Sequence, residues 1–216
     1  MKLHSLIGAA LVLAASAASA EDVPLTGMAE EVIASEWSEP TSVGQRDLFV
    51  LFKFEALPGD PLIELYKQSF EDVIYFIGGQ KHTSEIFEGT AVDWVCYDTG
   101  DTRTTVASLS TGYVGVPAPD LIVEERVDGP SPSCSAKPGA TAADPFTRLP
   151  RIGGSVADLI ERFGTAPVDA NGHLAYVSAV EIGGSLDGIQ TQIVYYRIEN
   201  ELITGVAYRQ RFEPRP

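Results

Sequence analysis

The sequence predicts an α+β protein made of two small two-layer units, each with a helix packed on an antiparallel sheet. Three observations lead to this prediction: two capped helical segments, runs of strand length after each of them, and a connector between the units. The connector, residues 127–146, is rich in Pro, Ser, Gly and Ala and has no sustained apolar period. We therefore divide the chain into a signal peptide at 1–20, a first unit with connector at 21–139 and a second unit at 140–216.

The first twenty residues have the pattern of a secretory signal peptide. Lys2 gives a short positive start, an apolar run covers residues 6–15, and Ala18-Ser19-Ala20 fits the small-x-small cleavage pattern. We expect cleavage near Ala20 and a soluble mature chain in the periplasm or outside the cell, without membrane insertion, because no later segment has the length of a membrane span. A retained N-terminal anchor is the alternative.

The mature chain would be strongly acidic, with 14 basic against 30 acidic residues and therefore a formal charge of −16. Such a charge disfavours binding to nucleic acid or to an anionic membrane, and it favours cationic partners. It does not identify a partner.

Two cysteines, Cys96 and Cys134, remain after cleavage. In an oxidising compartment an even pair of cysteines usually forms a disulfide. We predict this bridge, with Cys96 on a strand and Cys134 in the connector. Two free thiols are the alternative.

The first unit is predicted to mix helix and strand. Residues 47–56 ("DLFVLFKFEA") resemble a buried strand, and a helix follows that begins at Asp60 and Pro61 and stops at Gly78-Gly79. The last turn of that helix, "VIYFI", is β-branched and aromatic enough to be a strand instead. "VDWVCYD" and "RTTVASL" are predicted to form a hairpin, and "DLIVEERV" a further strand.

The second unit is predicted to be a helix followed by a three-stranded meander. Ser155 can cap the helix, with Asp158 three residues later, and Gly164 with Pro167 ends it. Three strand-like runs follow: "HLAYVSAVEI", "IQTQIVYYRI" and "LITGVAYRQRF".

The stretch "IGGSVADLIERFGTAPVDANGHLAYV", followed by "IQTQIVYYRIENELITGVAY", resembles a small periplasmic module. It is shared by the SmpA/OmlA (BamE-like) outer-membrane assembly lipoproteins and the β-lactamase inhibitory (BLIP-like) proteins. The matching positions are Gly154, Ser155, Gly164 and Pro167, within a resemblance that covers about Pro150 to Phe212. It implies protein binding in envelope assembly or inhibition, through a module that is present once, in the second unit, or twice, as a BLIP-like tandem with the first unit as a degenerate copy. The first unit departs from the pattern in its early strand and in lacking the Gly-Ser opening. An unrelated α+β domain is the alternative.

No residue set specifies a reaction. His82 and His173 are each expected in a solvated loop, and no Gly-x-Ser-x-Gly elbow precedes a helix. The ligand spacing of a zinc site or a calcium loop is also missing, so we predict a non-enzymatic protein without cofactor or metal. The alternatives are a periplasmic hydrolase whose Ser, Asp and His meet only on folding, and a carrier with an enclosed apolar cavity.

The last two strands predict a binding surface. If Glu199-Asn200-Glu201 is a three-residue loop, Ile198 pairs with Leu202 and Tyr195 lies opposite Gly205. One face then packs on the helix through Val194, Tyr196, Ile198, Leu202, Val206 and Tyr208, and the other carries Tyr195, Arg197, Ile203 and Arg209. Because aromatic residues and Arg are enriched in interface hot spots, we predict that Tyr195, Arg197 and Arg209 form an exposed protein-binding surface of a monomer. A face covered by the rest of the molecule is the alternative.

Overall fold

The computed structural model describes residues 23–34, 41–42, 68–87, 90–111, 116–136, 150–166, 168, 172–183 and 187–215. The predicted signal peptide, the predicted strand at 47–56 and the start of the predicted first helix lie outside these residues. Within them, no helix has the length and apolar character needed to cross a membrane.

The described elements are three helices and eleven strands. The helices are α1 Met28–Ala34, α2 Phe70–Ile77 and α3 Val156–Phe163. The strands are β1 Thr41–Ser42, β2 His82–Phe87, β3 Thr90–Thr99, β4 Thr102–Ser108, β5 Ser110–Thr111, β6 Pro117–Ala118, β7 Leu121–Arg126, β8 Ser135–Ala136, β9 His173–Ile182, β10 Gly188–Glu199 and β11 Leu202–Pro214. The predicted α3 helix, the β3–β4 hairpin and the β9–β10–β11 meander are all present.

A nine-stranded sheet joins strands from both predicted units. Its order is β1-β9-β10-β11-β7-β4-β3-β2, with β8 beside β3, while β5 and β6 form a separate pair. The pairs β1–β9 and β3–β8 are parallel and the other pairs are antiparallel. The sheet is therefore mainly antiparallel, as predicted, and with its few helices it is compatible with the predicted α+β class. Because β11 pairs with β7, the sheet is continuous across the boundary between the predicted units.

Helices α2 and α3 pack on the same face of the sheet and share one hydrophobic core. The core includes Phe70, Val73 and Ile77 of α2, Leu159 and Phe163 of α3, and the strand residues Val95, Tyr97, Ile122, Tyr176, Val194, Tyr196, Ile203, Val206 and Tyr208. These strand residues alternate with residues of the opposite face, as the period of a strand requires.

Helices α2 and α3 begin with the same N-cap hydrogen bond. The Ser69 hydroxyl accepts a hydrogen bond from the Asp72 amide, and the Ser155 hydroxyl accepts one from the Asp158 amide, each at 3.1 Å. Ser155 is therefore the N-cap of α3, as predicted. Gln68 and Ser69 are not helical, so the predicted continuous helix from Asp60 was wrong. The "VIYFI" segment is helical up to Ile77, which excludes the strand alternative.

Helices α2 and α3 each end at a glycine whose carbonyl accepts a hydrogen bond from a tyrosine of the sheet. Gly78 and Gly164 both have a φ of 80°. The Tyr97 hydroxyl donates to the Gly78 carbonyl at 2.7 Å, and the Tyr176 hydroxyl donates to the Gly164 carbonyl at 2.9 Å. Burial raises the pKa of the Tyr97 hydroxyl, so this hydroxyl stays protonated and remains a donor.

The β10–β11 turn differs from the prediction. Its loop has two residues, Asn200 and Glu201, both with positive φ, and Glu199 pairs with Leu202. A bulge beside Ile198 then shifts the register, so that Ile198 pairs with Ile203. As a result Ile203 is fully buried in the core and Leu202 is exposed, the reverse of the prediction.

Glu124, on β7, shares the helix-bearing face with Ile122 and is half-buried. Desolvation raises the pKa of its carboxyl above the usual value of 4.5, and nearby Arg151 offsets only part of this effect. The folded state therefore prefers the protonated carboxyl, and stability falls as the pH rises above the usual carboxyl range.

Glu124→Gln removes this penalty, so we expect a higher Tm than wild type at pH 7 and an equal Tm below about pH 4, where Glu is protonated in both states. Thermal unfolding followed by circular dichroism at both pH values measures the difference. Glu213→Gln, at an exposed position on β11, is the control and should change the Tm at neither pH. A gain that persists unchanged at the lower pH would contradict the assignment.

Candidate functional site

One rung across the sheet consists of charged and polar residues with a single glycine among them. The register places His173, Arg197, Gly205, Glu125, Arg103 and Asp98 side by side, on strands β9, β10, β11, β7, β4 and β3. The next rung is mostly apolar and consists of Ala175, Tyr195, Ala207, Val123, Thr105 and Cys96. We call the first set the polar rung. It lies on the face opposite α2 and α3, near one end of the sheet.

Gly205 lets two charged side chains meet across a strand. Arg197 and Glu125 flank Gly205 on β10 and β7, about 10 Å apart at the usual strand spacing. Glycine has no side chain to separate them, and the Arg197 guanidinium donates to the Glu125 carboxylate. The exposed fraction of the side chain is 19% for Arg197 and 5% for Glu125, so this ion pair is largely shielded from water.

Helix α1 covers the polar rung and adds to its charge network. The Glu125 carboxylate accepts a hydrogen bond from the Met28 amide at 3.0 Å, at the start of α1. Glu31, on α1, lies 3.1 Å from His173 Nε2 and 3.6 Å from an Arg197 nitrogen. We call the four side chains of Glu31, Glu125, Arg197 and His173 the α1 lock.

At the other end of the polar rung, Asp98 forms a hydrogen bond with the connector. Arg103 donates to Asp98 at 2.8 Å, and the same Asp98 carboxylate accepts from the Ser131 amide. Two residues before Asp98, Cys96 forms the predicted disulfide with Cys134, with a Cα separation of 4.8 Å. Cys96 is on β3 and Cys134 is in the connector, so the bridge ties the connector to the first unit as predicted.

A cleft of about 770 Å³ opens beside the polar rung, at the end of the sheet where the β3–β4 turn, the β10–β11 turn and the chain after β7 come together. Its lining residues are Asp101, Arg103, Glu125, Arg126, Val127, Asp128, Gly129, Arg197, Glu199, Asn200, Leu202 and Thr204. Asp101, Asp128 and Glu199 are exposed on its rim, together with one exposed cation, Arg126, whereas Arg103 and Arg197 are engaged in ion pairs. The cleft is thus polar, open and acidic at its rim.

The predicted exposed surface is wrong. Tyr195 and Arg209 have exposed fractions of only 3% and 4%, and Arg197 is held in the α1 lock. Tyr195 belongs to a second hydrophobic core with Met28, Val32 and other residues of the N-terminal segment. At Tyr195 and Arg209 the face is therefore covered by the rest of the molecule, which was the alternative, whereas Arg197 lines the cleft, and the three residues do not form one exposed surface. The residue opposite Gly205 is Arg197 and not Tyr195.

The predicted positions of the two histidines are also wrong. His82 and His173 begin strands β2 and β9, and both are buried. His82 Nε2 lies 2.9 Å from the Ser133 carbonyl oxygen of the connector, and its ring lies 4.6 Å from the Trp94 ring. His173 contacts Glu31. Both contacts join distant parts of the chain.

Sequence reasoning missed Glu31, His173, Glu125, Arg103 and Asp98 as members of one site. One signal was present: Glu125, Arg103 and Asp98 occupy positions of the strand pattern that point to the same face as buried apolar residues. A charged residue at such a position needs a partner, which indicates an internal ion-pair network. The strand order, however, is needed to bring these positions together.

The described residues contain no group of three or more His, Cys, Asp and Glu side chains placed to hold a metal ion. Comparisons of this protein with protein-family models, curated proteins and solved structures found no match. The resemblance to the SmpA/OmlA and β-lactamase inhibitory proteins therefore stays a prediction.

Proposed function

We propose that this protein acts without catalysing a reaction, by binding another protein at the cleft beside the polar rung. The observation that carries the proposal is the open cleft of about 770 Å³ with a floor held by two ion pairs, Arg197–Glu125 and Arg103–Asp98. Side chains that are already fixed lose little conformational entropy when a partner binds. Such a cleft accepts a protruding loop or side chain of a folded partner.

The charge of the rim favours a partner with cationic groups. Asp101, Asp128 and Glu199 are exposed around the cleft, against the single exposed Arg126. The whole chain has a formal charge of −15, so its long-range field has the same sign as the rim. Complementary charge mainly increases the association rate and the specificity of a protein complex.

The proposed location is the periplasm or the extracellular space. The pattern of residues 1–20 is that of a secretory signal peptide, with cleavage near Ala20. The Cys96–Cys134 disulfide is compatible with an oxidising compartment. An exported binding protein could act in envelope assembly or as an inhibitor, which is what the resemblance implies.

We also propose that the two units are a tandem of one module. Ser69, Asp72 and Gly78 have the same spacing as Ser155, Asp158 and Gly164, and each set caps and ends a helix on the same face of the sheet. In each unit a tyrosine hydroxyl from a strand holds the carbonyl of the terminal glycine. This repeated arrangement supports the BLIP-like tandem interpretation.

Site-specific photo-crosslinking tests the binding site in the native host cells. With a photo-reactive phenylalanine analogue at Glu199, on the rim, we expect a protein adduct in the periplasmic or secreted fraction. The control position is Glu213, which is exposed on the same hairpin outside the cleft lining. Equal adducts at both positions, or none at either, would contradict the proposed site.

The captured partner then allows a quantitative test. We expect the double variant Asp101→Lys/Asp128→Lys to weaken binding of that partner by about tenfold or more, mostly through a slower association rate. The matched control is Glu161→Lys/Glu213→Lys, which makes the same charge change at exposed positions outside the cleft lining. Surface plasmon resonance measures both rate constants. Equal losses in the two variants would indicate a general charge effect in place of a specific site.

A further inference from the structure

Residues 23–34, which we call the N-terminal segment, form hydrogen bonds with side chains of the sheet. Ser84 Oγ donates to the Val23 carbonyl at 2.7 Å and accepts from the Leu25 amide at 2.9 Å, and Glu125 accepts from the Met28 amide. Neighbouring strands, in contrast, are joined by continuous backbone ladders, such as the twelve register pairs between β10 and β11. None of the described residues 23–34 belongs to a strand of the sheet, so this stretch can separate from the sheet without breaking a ladder, while β1, which begins seven residues after α1, stays paired with β9.

Helix α1 also depends on its docked position. It has seven residues, whereas isolated helices shorter than about 12 residues are marginal in water. Its buried residues Met28, Ala29, Val32 and Ile33 pack on the apolar part of the face, together with Leu25 of the same segment. Folding and docking of α1 are thus one event, and so are its undocking and unfolding.

The α1 lock decides where and how firmly the helix docks. Gly205 leaves room for Met28, since a Cβ at this position would lie 2.5 Å from the Met28 sulfur. Glu31 places its carboxylate beside His173 and Arg197, two side chains of the polar rung. Arg197 and Glu125 are largely shielded from water, so losing the contacts that α1 makes to them costs free energy, and these contacts favour this one position of the helix over others.

We infer that α1 is a detachable strap: it leaves the sheet as a unit under conditions in which the sheet stays folded, and Glu31 controls how often it leaves. Detachment uncovers Tyr195 and its apolar neighbours. It also removes two contacts that fix the cleft floor, because Arg197 and Glu125 line the cleft as well as hold the helix. The strap would thus change the cleft when it opens. This inference does not rest on the proposed function.

Native-state hydrogen exchange of the full mature chain, read out by mass spectrometry at low urea concentrations, tests the strap. We expect the amides of residues 28–34 to exchange through an opening with a smaller denaturant dependence than that of the β10 and β11 core. Glu31→Gln should accelerate exchange in residues 28–34 by roughly three- to tenfold and leave β10 and β11 unchanged. The control is Glu30→Gln, a change of the neighbouring exposed acid in the same helix.

Two results would overturn the inference. The first is exchange of residues 28–34 with the same free energy and denaturant dependence as β10 and β11, which would make α1 part of the global cooperative unit. The second is an equal change of the exchange rate in Glu31→Gln and Glu30→Gln, which would mean that the Glu31 contacts of the α1 lock do not control detachment.

Discussion

Replacing Val194 by aspartate is expected to unfold the protein at neutral pH. Val194 is fully buried on β10, an interior strand of the sheet, with Tyr176 and Tyr208 as its register partners. A carboxylate at this position would enter the core without a partner, and this costs more than the about 2–7 kcal/mol of an unpaired neutral polar group. Many domains have a total stability of only about 5–15 kcal/mol, so this loss removes most or all of it.

The loss should extend beyond the second unit, because β11 pairs with β7 and the sheet is continuous from β9 to β2. Far-UV circular dichroism and urea unfolding of purified protein measure the effect. Ile189→Asp is the control on the same strand, where the side chain is 39% exposed, and we expect a loss below about 1 kcal/mol there. A wild-type urea midpoint for Val194→Asp would mean that the assignment of the β10 faces is wrong.

Elements with strong local signals were predictable from the sequence. The hydroxyl of Ser155 and the glycine at 164 mark both ends of α3, and Gly100-Asp101 marks the β3–β4 turn. The disulfide followed from an even cysteine count and the predicted export. In each case the signal lies within a few residues or in the composition, so no knowledge of the tertiary structure is needed.

The strand register was harder to predict because the β10–β11 turn has an unusual sequence. Asn200 and Glu201 both have positive φ, and such turns strongly prefer glycine, so a two-residue loop was not expected at Asn-Glu. The loop length and the bulge beside Ile198 decide which residues face the core. The predicted face was therefore wrong for Leu202 and Ile203. It was correct for Val194, Tyr196, Val206 and Tyr208.

The site could not be predicted because it depends on contacts between distant parts of the chain. The polar rung requires the β11–β7 pairing, and Glu31 and His173 are 142 residues apart in sequence. Helix α1 is too short to give a clear helical period, so nothing in the sequence indicated what covers the face with Tyr195. The residue types Tyr and Arg did indicate an interface, but the surface they contact belongs to the same chain.

Removing the disulfide with Cys96→Ala/Cys134→Ser is expected to lower the free energy of unfolding by about 4 kcal/mol. The bridge spans 38 residues, and the chain-entropy model gives this value for a loop of that length. In the folded state the connector keeps other contacts, since Ser133 bonds His82, Ser131 bonds Asp98, and β8 pairs with β3. The loss should therefore arise mainly from greater freedom of the unfolded chain, with little change in the native fold.

Urea unfolding of the double variant and of oxidised wild type measures the difference, and reduced wild type should match the variant. If the entropic explanation is right, circular dichroism of the folded variant stays like that of wild type while its midpoint falls. A loss below about 1 kcal/mol would mean that the unfolded chain keeps the connector near β3 without the bridge. A loss accompanied by an altered native spectrum would mean instead that the bridge holds the connector in place, and that the contacts of His82 and Asp98 are too weak to do so alone.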